Sequence, residues 1–136
     1  MKRFYSLSLL IVSFAFLISS CGLGDAAEKA EKQADKFHTF LKAGNENAML
    51  DMVHEVGMRD DGPAFKELIH QLATETNITK IEKSMGFNTS ISNGVATVRL
   101  NYVLHDKEQG KVTEEIVLRD SKDGVMKIVS LNYVQN

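Results

Sequence analysis

Asp51 and His54 stand three residues apart in a stretch, Ala48 to Val56, whose apolar spacing predicts a helix. That separation places both side chains on one helical face, where a carboxylate could orient an imidazole as an acid–base pair. The same stretch has a plainer reading: Met49, Met52, Val53 and Val56 form its buried stripe, the pair lies beside that stripe, and Glu55 continues a solvated face. Tyr102 is the other candidate. It shares strand parity with Val98 and Leu100, so its ring is expected to point inward, with the hydroxyl satisfied at a rim or offered to a ligand. The remaining histidines are placed as structural: His38 between the core positions Phe37 and Leu41, His70 after Ile69, His105 at a strand end. No His-x-His or His-x₃-His spacing occurs and Cys21 is the only cysteine, so no metal site is expected. Nor is there a Gly-x-Ser-x-Gly elbow or a Gly-rich phosphate loop. No cofactor is implied, and binding is favoured over catalysis.

Cys21 is the residue whose setting assigns it a chemistry. Lys2-Arg3 precede an apolar run, Phe4 to Ile18, which ends in the small residues Ser19-Ser20. That order of charge, apolar run and small residues is a secretory signal peptide. As a helix, Phe4 to Ile18 would span about 22 Å, short of the ~30 Å of a hydrocarbon core. Ile18-Ser19-Ser20-Cys21 resembles a bacterial lipobox. The resemblance implies cleavage before Cys21 and acyl chains on it (diacylglycerol and palmitate-type chains), which would hold a small domain on the membrane. The expected divisions are a signal peptide at 1–20, lipidated cysteine and linker at 21–24, and one domain at 25–136. Gly22-Leu23-Gly24, fully extended, would reach about 10 Å, keeping the domain against the bilayer. Residue 22 is not aspartate, which by similarity to known sorting patterns implies the outer membrane of a two-membrane host. In a host with one membrane, the outer leaflet is implied.

Removing Lys2 and Arg3 from 16 basic residues against 18 acidic ones leaves a net charge of −4 with histidines neutral. An acidic domain without a basic stripe excludes nucleic acid as the natural partner. With its only thiol lipidated, the domain has no disulfide and stands on packing.

The elements that must position these residues follow from period. Asp25-Ala26-Ala27-Glu28 has capping-box spacing, and Ala27, Ala30, Ala34, Phe37 and Leu41 trace one apolar stripe up to Gly44. Asn45 is expected to cap a second helix ending at Gly57, and Gly62-Pro63 to open a third carrying Phe65, Leu68, Ile69 and Leu72. From Asn77 the period falls to two. Asn93-Gly94 signals a tight hairpin, and Ala96, Val98, Leu100, Tyr102 and Leu104 line one strand face. Strands are expected at Val112–Arg119 and Val125–Val134, and Ile78–Met85 extends the first strand through a bend at Gly86. The order predicts an α+β fold, with N-terminal helices packed on a curved antiparallel sheet of about four strands.

Phe37-His38-Thr39-Phe40-Leu41-Lys42-Ala43-Gly44-Asn45 resembles the opening helix of a nuclear transport factor 2-like domain. Lys122-Asp123-Gly124-Val125-Met126-Lys127-Ile128 resembles its last hairpin, with Met126 where that pattern has tryptophan. The resemblance implies a cystatin-like cone, a curved sheet wrapped round a long helix. Its superfamily ranges from isomerases and dehydratases to binding and dimerisation modules, so an enzyme of small molecules acting in the cone is the alternative reading. If Met126 and Ile128 face the core, Val125, Val129, Leu131 and Tyr133 form an apolar strip on the opposite face of the sheet. Such a strip would serve a homodimer or a partner in an envelope complex.

Overall fold

In the computed structural model the side chains are described from Gly22 to Asn136; Cys21 and residues 1–20 lie outside those described residues. Helix α1 (Lys2–Ala43) runs through Asp25 without a break. Asp25 therefore caps nothing, and its carboxylate instead meets Lys29 at 3.0 Å. Gly22-Leu23-Gly24 is helical as well, so these three residues advance about 5 Å along the axis rather than forming an extended tether. Ala26, Ala30, Ala34, Phe37 and Leu41 form the buried stripe of α1. The helix stops where Gly44 takes a φ of 65°, a conformation that costs an L side chain steric energy.

Asn45 caps α2 (Glu46–Leu50), accepting the Ala48 N–H at 3.2 Å. The longer helix expected here does not form. Met52 and Val53 are both buried neighbours, which a helix would point in different directions. The chain instead extends, and Val53 bridges β4 in parallel at Ile128. The Ile128 N–H donates to the Met52 carbonyl at 2.8 Å, and the His54 N–H donates to the Ile128 carbonyl at 2.7 Å. Helix α3 (Glu55–Glu75) then begins with His54 as its cap. It kinks at Asp61 (φ −150°, ψ 40°), two residues before Pro63, whose ring and missing N–H interrupt the ladder. The helix start expected at Gly62-Pro63 is thus the second limb of α3.

Strands β1 (Ile78–Ser92), β2 (Val95–Asp106), β3 (Gly110–Asp120) and β4 (Met126–Gln135) form an antiparallel meander in chain order. Asn93 and Gly94 both have positive φ, 52° and 76°, as a type I′ hairpin needs. Gly86, at φ 98°, sits where the β1–β2 register slips between Lys83 and Phe87. The concave face of the sheet closes on α1, burying Val98, Leu100, Leu104, Ile116, Leu118, Met126 and Ile128.

Strand β4 departs from simple alternation. Leu118 pairs with Ile128 but Val117 pairs with Ser130, so Val129 is an extra residue, a β-bulge. One inserted residue reverses facing for everything after it. Leu131 and Tyr133 consequently pack against the core, opposite Ile116 and Glu114. The outer strip of Val129, Leu131 and Tyr133 expected for a homodimer is therefore not present as a face.

Candidate functional site

The bulge brings Tyr133 into one row with two other polar residues. Tyr102 on β2 pairs directly with Glu114 on β3, and Glu114 pairs directly with Tyr133 on β4. All three occupy core-facing positions, because Glu114 has the parity of Ile116 and Leu118. Helix α1 lays His38 over this row, one residue after the buried Phe37.

Glu114 is completely shut from solvent, and both its oxygens are engaged. The Tyr133 hydroxyl donates to Oε1 at 2.6 Å, and His38 Nε2 lies 2.5 Å from Oε2. A buried carboxylate is tolerated only with such partners. The Nε2–Oε2 contact fixes the ring's orientation. Among the described residues, Nδ1 of His38 has no hydrogen-bond partner. The His38 ring also meets Tyr102 edge-on, with centroids 4.6 Å apart and planes at 81°. The Tyr102 hydroxyl is buried with no partner among the described residues. Burial, then the negative charges of Asp35, Glu114 and Glu31, hold the Tyr102 phenol above its ordinary pKa. Burial, then the Glu114 carboxylate, raises Tyr133 well above its own. Both phenols are O–H donors throughout the physiological range.

Above this floor lies a pocket of about 310 Å³ between α1 and the first two strands. Its lining is Glu31, Asp35, His38, Thr39, Lys42, Ile81, Lys83 and Tyr102, and Lys83 is ion-paired with Glu31 across it. Chemically the floor offers a donor in the Tyr102 O–H and an imidazole, positioned by Glu114, that can accept or hold a proton. The rim adds two cations and two carboxylates. Among the described residues no three His, Cys, Asp or Glu side chains converge to hold a metal ion.

The residues singled out from sequence fall in different places. Tyr102 lies in the site. Asp51 and His54 do not form a pair, because the helix that would have aligned them ends at Leu50. Asp51 is exposed at the end of α2, in a cleft with Lys36 and Lys127. His54 is buried; its Nδ1 accepts the Val56 N–H at 3.1 Å and its Nε2 donates to the Asp120 carbonyl at 3.1 Å. Both nitrogens are committed to structure, so His54 is a cap and not a base. His70 and His105 pair at the surface with Glu46 and Glu82. Sequence reasoning missed His38 and Glu114 as site residues. The available signal was Glu114 itself, a charge at core parity in a strand whose neighbours at that parity are Ile116 and Leu118.

No protein-family profile and no curated protein sequence matches the chain. Among solved structures, it is similar to a candidate ketosteroid isomerase from Shewanella frigidimarina, with 16% sequence identity and a TM-score of 0.54. The match covers 78% of this chain and 94% of the other. At that identity the likeness concerns the fold alone, the packing of helices on a four-stranded antiparallel meander. The chain therefore has a nuclear transport factor 2-like fold.

Proposed function

We propose that this is a lipid-anchored extracytoplasmic domain that binds a small polar molecule in the pocket over His38 and Tyr102. The observation that carries the binding reading is the Tyr102 hydroxyl, buried and without a protein partner among the described residues, on a residue that lines the pocket. An unsatisfied buried donor costs about 1–3 kcal/mol, a cost that an acceptor on a ligand would remove. The anchor rests on the lipobox-like Ile18-Ser19-Ser20-Cys21 alone.

A second reading is favoured by one specific feature. His38 has its Nε2 side held by a buried carboxylate and its Nδ1 side without a protein partner, the arrangement of a general base with its orienting group. In that reading the pocket performs proton transfer, with His38 taking the proton and Tyr102 donating a hydrogen bond to the substrate oxygen. Thermal-shift screening of small oxygen-bearing compounds against wild type and Tyr102→Phe tests the binding reading. Compounds that raise the wild-type Tm and lose that effect in the variant support it. If nothing stabilises wild type, or every hit stabilises Tyr102→Phe equally, the pocket is not a binding site. For hits, solvent deuterium exchange into the compound separates the readings: exchange abolished by His38→Gln indicates catalysis, and no exchange indicates binding alone.

A further inference from the structure

Strand β4 lies at the edge of the sheet, paired only with β3. The Asn136 N–H donates to the Lys111 carbonyl at 3.2 Å. Antiparallel ladders alternate, so residues 130, 132 and 134 also bond inward, while Leu131, Tyr133 and Gln135 turn their N–H and C=O groups outward. Among the described residues none of these outward groups has a backbone partner. The same edge is already used for one rung upstream. There Ile128 exchanges two hydrogen bonds with Met52 and His54, so the edge has the geometry to add a strand.

A groove accompanies the free rungs. It measures about 310 Å³, with Val56, Phe65 and Leu68 of α3 on one wall and Val129 and Leu131 of β4 on the other. Asp60 and Asp61 are exposed at its side; Asp60 is paired with its neighbour Arg59 at 2.9 Å, and Asp61 has no cation partner among the described residues. An edge with open hydrogen bonds, apolar walls and an acidic rim fits one class of occupant. We propose that residues Leu131 to Gln135 receive an extended segment of a partner protein as a fifth strand, its apolar side chains in the groove and alternate lysines or arginines beside Asp60 and Asp61. A second copy of this chain fits less well, because Val129 to Gln135 contains no basic residue to meet those carboxylates.

The test uses the full chain in mild detergent and a fluorescent extended peptide alternating valine and lysine, with a valine–glutamate peptide as control. Gln135→Pro removes one outward N–H at an exposed position and leaves the ladder to β3 intact. Leu131→Pro does the same at the first rung of the edge. The expected result is saturable anisotropy with the lysine peptide, weakened about tenfold or more by either proline and several-fold by Asp60→Asn with Asp61→Asn. Circular dichroism confirms which proline variant is folded, and Gln135→Pro decides the matter if Leu131→Pro is not. No saturable binding, equal binding by Gln135→Pro, or equal binding of the glutamate peptide would overturn the proposal. Self-association of the chain that disappears in Gln135→Pro would also overturn it, by assigning the edge to a second copy.

Discussion

Replacing Glu114 with leucine probes the polar floor more sharply than any other single change. The side chain is fully buried, so the substitution leaves the Tyr133 O–H and the His38 ring facing hydrocarbon. Each orphaned group costs about 1–3 kcal/mol. Part of this is offset because a buried charge has been removed and an apolar side chain of similar size put in its place. The net loss expected is about 2–4 kcal/mol, a large share of the 5–15 kcal/mol typical of a domain. With a urea m-value of about 1.5 kcal/mol/M, a 3 kcal/mol loss moves the midpoint by about 2 M. The triple change Glu114→Leu, His38→Leu and Tyr133→Phe removes the stranded groups too, and should return to within about 1 kcal/mol of wild type or exceed it. Urea denaturation followed by far-ultraviolet circular dichroism measures both. If Glu114→Leu alone were as stable as wild type, the three side chains would not be exchanging hydrogen bonds, and the site built on them would fail.

Asp106 makes the pH dependence testable. Burial alone would raise its pKa, but the N–H groups of Gln109, Asn77 and Glu108 outweigh that and the carboxyl is lowered below its usual 3.8. A depressed folded pKa contributes stability that is present above the unfolded value and lost as pH falls through the folded one. Wild-type Tm should therefore drop below about pH 4 more steeply than that of Asp106→Asn, as scanning calorimetry would show. Gly44→Ala should cost about 1–2 kcal/mol in chemical denaturation, because φ is 65° and the new Cβ would lie 3.1 Å from the Ala73 carbonyl. Cys21→Ser should abolish incorporation of a fatty-acid analogue and release the chain from the membrane fraction; label retained in the variant would refute lipidation at Cys21.

Much of the fold was legible because the strongest signals were periodic. Alternation in β2 placed Ala96, Val98, Leu100, Tyr102 and Leu104 on the buried face, and the α1 stripe through Phe37 and Leu41 placed the helix over it. The failures share one cause: tertiary contact overrode local pattern. The Ala48–Val56 spacing reads as a helix, but two hydrogen bonds to Ile128 hold Met52 to His54 extended, which dissolved the Asp51–His54 pair. In β4 a single bulge at Val129 reversed the facing of Leu131 and Tyr133, and no glycine or proline marks that bulge in the sequence. Tyr133 thereby moved from an imagined outer face into the site. His38 looked structural because it borders a core stripe; only the sheet wrapping over α1 brings Glu114 to its Nε2.

The central claim is that Glu114 holds His38 through Nε2 and leaves Nδ1 without a protein partner among the described residues. Imidazole ¹⁵N–¹H correlation spectra of the uniformly labelled chain test it directly. The account predicts an Nε2 proton shifted downfield by Glu114, with that shift lost in Glu114→Gln, and an Nδ1 resonance that moves on adding a bound compound. An Nε2 that carries no proton, or a His38 ring whose signals are unchanged in Glu114→Gln, would contradict it.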